Sequence, residues 1–201
     1  MHKISISGKG GVGKSVFSKF LISSFKEKLK DSDFGYKTAA FADPIKEIIL
    51  KMFPNTDRKI LYGKSELRSA IIPNAYLNNE PLTYRKLLQH LGTEVGQTYK
   101  KGIWLDVMQS KLTKAIDKKL NLFIVNDCRF IHEFNYLKSN NFKFIRIIGR
   151  STTLNTENQQ HSSEKEQELI KDERFDFIVN NNKGLKELRI VANSIVESLI
   201  V

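Results

Sequence analysis

The chain has 201 residues, 40% of them hydrophobic, which suffices for one good core and suits a single domain with inserted lobes. Its 33 Lys+Arg against 22 Asp+Glu give a formal charge of +11 and favour anionic ligands; the basic residues are scattered, with no arginine-rich arm or aromatic RNA-binding signature, so no stable nucleic-acid complex is expected. One cysteine, Cys128, excludes an internal disulfide framework; no Cys/His spacing suits zinc and no apolar run reads as a membrane span or signal peptide, so a soluble protein of a reducing cytoplasm is expected.

From the N-terminus, His2 to Ser7 alternates Ile4 and Ile6 with small or polar residues, a short strand. It runs into Gly8-Lys9-Gly10-Gly11-Val12-Gly13-Lys14-Ser15, which fits the phosphate-loop pattern G-x-x-x-x-G-K-[ST]. Glycines let the backbone curl until successive N–H groups face one anion, Lys14 can reach β- and γ-phosphates, and the Ser15 hydroxyl can ligate Mg²⁺. Val16, Phe17, Phe20, Leu21 and Phe25 recur at helical spacing, so a helix follows and adds its positive end to the loop. Gly8 through Val16 are the expected contacts of ATP. A glycine-rich turn in an unrelated fold is the plain structural alternative.

Lys37 to Ala42 reads as a strand ending at Asp43-Pro44, where Asp43 suits a helix N-cap and Pro44 a first helical residue, with the helix running to about Phe53. Residues 54–80, with Pro54, Gly63, Pro73 and Asn78-Asn79, read as a surface excursion. Helical patterns follow over about 82–98 and 103–119, the second with Trp104, Val107, Met108 and Leu112 on one face. Leu122 to Val125 is a buried-type strand closed by Asn126-Asp127; a helix around His132 to Ser139 and a strand from Phe142 to Ile148 come next. The polar run 150–163 suits a lid, Phe177 to Val179 a last strand, and Leu185, Leu188, Val191, Ile195 and Leu199 line a closing helix. The sum is an α/β protein with about five mostly parallel strands and helices on both faces, whose ligands bind outside the strands' carboxyl ends.

Three polar groups fall at those ends: the phosphate loop, Asp43/Lys46 and Asp127/Arg129, all expected at one crevice. Asp127 is placed like a carboxylate that orients Mg²⁺, and equally like an N-cap for the segment beginning at Phe130. Arg129 can clamp a phosphate with its planar fork or be a surface arginine.

The order Ser7-Gly8-Lys9 through Lys14-Ser15, then Phe41 to Glu47, then Arg85 to Glu94 with Trp104, then Val125 to Phe130, with His161-Ser162-Ser163-Glu164 beyond, resembles the bacteriophage deoxynucleoside monophosphate kinases, T-even type included, over nearly the whole chain. The resemblance implies one phosphate-loop kinase domain, 1–201, with a helical monophosphate-binding insertion at about 44–119 and a lid at about 150–165. It implies ATP and Mg²⁺ as cofactors, with Ser15 and Asp127 toward the metal, and a deoxynucleoside monophosphate as acceptor. Asp43, Lys46, Arg85 and Gln89 become acceptor-site candidates, Thr93, Glu94 and Trp104 shape that lobe, Asp127 and Arg129 join the two sites, and Arg150 is the lid's phosphate ligand. An acceptor phosphate oxygen would attack the γ-phosphorus in line, with Lys14, Arg129 and Arg150 among the groups spreading the charge. Read without the family, Arg85 and Gln89 lie one helical turn apart and can face one ligand or simply solvent, and Trp104 suits a core position as well as a base platform. The chain departs from the family at Ser15-Val16, where Asp-Thr is common, and at Gln97, where a basic residue is common.

Two rivals share the loop. Lys9 followed by Gly10-Gly11-Val12-Gly13-Lys14-Ser15 also matches the partition and positioning ATPases, whose early lysine acts across a dimer, and a dephospho-coenzyme A kinase-like enzyme would use the same donor loop. A homodimer is left open, and the resemblance suggests a virus working in host cytoplasm.

Overall fold

Along β1 (His2–Ser7), Ile4 and Ile6 point to one face and Ser5 and Ser7 to the other; all four are buried, as an interior strand requires. The computed structural model describes residues 1–149, 166 and 169–200. They fall into two compact units, Met1–Ala40 with Met108–Val201, and Phe41–Val107. Arg150, the rest of the expected lid and the His161 to Glu164 motif lie outside the described residues.

In the first unit, β1, β2 (Tyr36–Ala39), β5 (Leu122–Val125), β6 (Lys143–Ile148) and β7 (Phe177–Asn180) form one sheet in the order β2-β5-β1-β6-β7. Every pairing in it is parallel, with His2 opposite Leu122 and Ile4 opposite Lys143. Among the described residues the sheet is thus parallel throughout, in keeping with the expected α/β fold. Helix α1 (Lys14–Leu29) buries Phe17, Leu21 and Phe25, and the last helix, α8 (Leu185–Ile200), buries Leu188, Ala192, Ile195 and Val196. Both pack into one cluster with Ile4, Ile6, Leu122, Ile124, Ile145 and Ile147. Alternate strand residues face the other way. Phe134 of α7 (Ile131–Ser139) stacks on Phe144 of β6 at 4.0 Å, with Phe175 edge-on, an arrangement aromatic quadrupoles favour. With β1 central and β5 and β6 on its two sides, the loops after β1 and β5 emerge together at the sheet's carboxyl ends.

The second unit is built from α2 (Asp43–Met52), α3 (Arg58–Tyr62), a 3₁₀ turn (Ser65–Ser69), the hairpin β3 (Ile71–Leu77) and β4 (Glu80–Thr83), then α4 (Tyr84–Gln89), a π-helical stretch (His90–Val95) and α5 (Gly96–Tyr99). The first turns of α6 (Ile103–Asp117) complete it. Its core is Ile45, Ile49, Leu61, Ile72, Leu82, Tyr84 and Leu87, with Trp104 packed against them.

Three sequence expectations are corrected here. Residues 54–80 hold a helix, a 3₁₀ turn and a hairpin rather than an irregular excursion. Asn78 and Asn79, with φ of 52° and 64°, form the two-residue turn between Leu77 and Glu80, a left-handed pair that asparagine tolerates. Asp43 stands inside α2, whose N-cap is Ala42. The pattern expected to be one helix over 82–98 starts at Tyr84, capped by the Thr83 hydroxyl accepting from Lys86 N–H at 3.2 Å, because 80–83 is a strand.

Candidate active site

The loop from Gly8 to Ser15 joins β1 to α1. Gly8, Gly11 and Gly13 all have positive φ, at 147°, 78° and 98°. A Cβ on Gly8 would sit 2.4 Å from the carbonyl oxygen of Ile147, and one on Gly13 2.6 Å from Nδ2 of Asn181, so the loop closes against β6 and β7 only because those side chains are absent. Val12 is 3% exposed and anchors the loop in the core, while Lys9, Ser15 and Val16 are exposed. The Lys14 ammonium donates to the carbonyl of Lys9 at 2.8 Å and to that of Gly8, folded over the loop from its own helix start. No acidic residue lies in the first turn of α1. A curled glycine backbone, a helix N-terminus and a lysine at its mouth fit the charge of a triphosphate.

β5 ends in Asn126-Asp127-Cys128-Arg129-Phe130, the neighbouring strand end. Ser7 Oγ donates to the Cys128 carbonyl at 3.0 Å and ties the two strand ends together. Asp127 and Arg129 are half-buried there, whereas Cys128 is fully buried and its thiol is pushed well up by desolvation. The N-cap position of α7 is Phe130, so Asp127 does not cap that helix. That work falls to Glu133, whose carboxylate accepts the N–H groups of Arg129 at 2.8 Å and Phe130 at 3.1 Å. Glu133 is 4% exposed; burial first, and the charge of Asp127 second, push its carboxyl up to about 8. Ser15 and Asp127 both lie in this unit and offer the hydroxyl and carboxylate oxygens that suit Mg²⁺. Among the described residues no group of three or more His, Cys, Asp or Glu could hold a metal ion by itself, so such an ion would depend on phosphate oxygens as well.

The acceptor candidates Asp43, Lys46, Arg85, Gln89, Thr93, Glu94 and Trp104 belong to the second unit. Lys46 pairs with Asp43 at 3.4 Å and lies 4.6 Å over the Tyr62 ring. Arg58 also stacks on Tyr62 at 4.6 Å and bonds Glu47 through both nitrogens, at 2.7 and 3.3 Å; the Tyr62 hydroxyl donates to Glu47 at 2.5 Å. Burial and that acceptor hold the Tyr62 phenol protonated far above its ordinary range. Arg85 donates to the Ser65 carbonyl at 2.7 Å, and Gln89, one turn on, is half-buried. Thr93 and Glu94 lie in the π-helical stretch, where Glu94 meets His90 Nδ1 at 2.5 Å and the Trp104 indole donates to the Gly92 carbonyl at 2.7 Å. Trp104 thus serves as a latch on the π turn as well as core. Gln97 accepts the Gly102 N–H at 2.9 Å, which gives this departure from the family a structural use.

Sequence reasoning missed Tyr62, Glu133 and Asn181. The signal for Asn181 was present: an asparagine run follows a predicted strand, at the end where ligands bind. Glu133 was visible three residues after Phe130, the N-cap-to-N3 spacing of a capping box. Nothing in the spacing of Tyr62 marked it.

The sheet and the loop at its centre define an α/β phosphate-loop protein. A family model described as deoxynucleotide monophosphate kinase matches residues 64–191, and the chain belongs to that family of nucleotide kinases. The match takes in Arg85 to Trp104 and Asp127 to Arg129. No curated protein matches the chain. Similar solved structures include an unliganded sugar kinase from Janibacter sp. HTCC2649, at 10% identity and TM-score 0.49 over 98% of this chain and 95% of that one. Another is the dephospho-CoA kinase from Campylobacter jejuni, at 14% identity and TM-score 0.48 over 98% and 96%. Among the described residues no helix is long and apolar enough to cross a membrane.

Proposed function

We propose that this kinase transfers the γ-phosphoryl group of ATP to deoxynucleoside monophosphates, yielding diphosphates for DNA precursor synthesis. The observation that carries the reading is the family match over 64–191, which takes in the acceptor candidates from Arg85 to Trp104 and the β5 strand end, while Asp43, Lys46 and the donor loop lie outside it and the loop stands on its own motif and geometry. Gly8 through Val16 receive the triphosphate, with backbone N–H groups and Lys14 meeting its charge. Ser15 and Asp127 would hold Mg²⁺, which supplies charge neutralisation on the β- and γ-phosphates. Lys46, Arg85 and Gln89 bind the monophosphate, and Thr93, Glu94 and Trp104 shape its seat. Lys14 and Arg129, with Arg150, stabilise the transferring phosphoryl group. No side chain need become a nucleophile: an oxygen of the monophosphate forms the new P–O bond as the bond to the β-phosphate oxygen breaks, and ADP leaves. One domain carrying a monophosphate-binding lobe and a lid, working as a monomer or homodimer, suffices for this chemistry.

The test is to incubate pure protein with Mg-ATP and, separately, each deoxynucleoside monophosphate, each ribonucleotide and dephospho-coenzyme A, and to quantify the phosphorylated products. Deoxynucleoside diphosphates are expected. Phosphorylated dephospho-coenzyme A alone, or ATP-dependent dimerisation with DNA-stimulated hydrolysis and no phosphorylation of any monophosphate, would reject the reading in favour of one of its rivals.

A further inference from the structure

Asn180, Asn181 and Asn182 follow one another where β7 ends, at the carboxyl edge of the sheet. Asn181 is held there and holds something in turn. Its backbone N–H donates to the Ile148 carbonyl at 2.8 Å, which fixes it to the end of β6. Its side-chain Nδ2 donates to the Val12 carbonyl at 2.9 Å, a bond between residues 169 apart in sequence that lands inside the phosphate loop. A carbonyl only accepts, so the position requires an NH₂ donor that a carboxylate cannot supply. The same nitrogen lies 2.6 Å from where a Cβ of Gly13 would be, so the glycine leaves the space that the amide fills.

The Val12 carbonyl and the Gly13 N–H share one planar trans peptide and point in opposite directions. Fixing the oxygen toward Asn181 therefore fixes the N–H away from it. Gly13, with φ of 98°, has the backbone freedom to turn that peptide over. The bond to Asn181 removes that freedom.

We propose that Asn181 is a positioning residue for the phosphate loop: it sets the Val12–Gly13 peptide so that the Gly13 N–H is presented to the triphosphate. This rests on the reading of Gly8 to Ser15 as the ATP loop, and not on the identity of the acceptor. Asn181 need touch no substrate atom. Its effect is on donor affinity, since the carbonyl it holds is that of Val12 within the donor loop.

The test compares wild type with Asn181→Ala and Asn181→Asp by calorimetric titration of Mg-ATP, steady-state kinetics for both substrates, and thermal melts. Loss of one hydrogen bond predicts about fivefold weaker Mg-ATP binding for Asn181→Ala. For Asn181→Asp, which sets an anion against the Val12 carbonyl and close to the phosphates, the loss is about tenfold or more. The monophosphate KM stays within about twofold and the melting temperature within about 3 °C, a shift of about 1 kcal/mol for a chain of this size. Wild-type Mg-ATP affinity in both variants would overturn the proposal. So would a parallel loss of both substrates together with a lowered melting temperature, which would mark Asn181 as merely structural. If wild type binds Mg-ATP but phosphorylates no deoxynucleoside monophosphate, the kinase reading fails while the binding arm still decides the role of Asn181.

Discussion

The indole N–H of Trp104 donates to the carbonyl of Gly92 across 2.7 Å, and Gly92 lies within the π-helical stretch His90–Val95. A π turn rotates the residues beyond it relative to an α-helix, so the latch decides how Thr93 and Glu94 are presented. Trp104→Phe keeps a ring in the core and removes the donor, which predicts a loss of about 1 kcal/mol in urea unfolding. The KM for the monophosphate is expected to rise several-fold with the KM for ATP unchanged. Trp104 is also the only tryptophan of the chain, so its emission should follow a monophosphate titration in the wild type. Emission that stays constant at saturating monophosphate, in protein that turns over, would refute the latch.

Lys14→Ala removes the ammonium that rests on the Gly8 and Lys9 carbonyls in the free protein and meets phosphate in the proposed complex. Phosphoryl transfer is expected to fall about 10²- to 10³-fold, the usual cost of deleting one preorganised charge-stabilising donor. Far-UV circular dichroism should be unchanged. Turnover close to wild type would count against the donor assignment.

Glu133 gives the pH dependence. Its folded carboxyl holds a proton more tightly than the unfolded one, so this contribution to stability is complete below the ordinary value of 4.5 and is lost as pH rises through about 8. Glu133→Gln cannot ionise and still offers an acceptor to the Arg129 and Phe130 N–H groups. In metal-free buffer its melting temperature should match wild type near about pH 4 and exceed it near about pH 9 by about 3 °C or more, the shift that about 1 kcal/mol produces. A difference independent of pH would show that Glu133 is not ionising in the fold.

Tyr62 carries both Lys46 and Arg58 on its ring and binds Glu47 through its hydroxyl. Tyr62→Phe keeps the cation–π contacts and Tyr62→Leu removes them, at about 1 kcal/mol for the half-buried Lys46 contact. The monophosphate KM should therefore move little in the first variant and rise about threefold or more in the second. Equal KM values in the two would mean that the ring does not position Lys46.

The phosphate loop, the five parallel strands and the order of their helices were legible because each rests on local signals: glycine spacing, apolar runs, and a period of 3.6 or 2. The hairpin over 71–83 was not. Pro73 and the left-handed Asn74, where the register shifts, break the alternation that marks a strand, and Asn78-Asn79 was read as loop composition rather than as a two-residue turn. The roles of Tyr62, Glu133 and Asn181 depend on partners brought together by the fold, and Asn181 reaches across 169 residues. Trp104 was legible as a core residue, but its polar end finds its use only through a π turn that no residue periodicity announces.

β1 is flanked by β5 and β6, so the first six-residue strand of the chain waits for partners that begin at Leu122 and Lys143. Pairings so distant must close long loops before any ladder bond is gained, which makes them late steps in folding. The anchor on Val12 comes later still, at Asn181. During synthesis from the N-terminus the glycine motif is made 169 residues ahead of the asparagine that fixes its shape. A growing chain thus carries the nucleotide motif long before it carries a nucleotide site, and ATP meets a finished loop only once the end of β7 has been made.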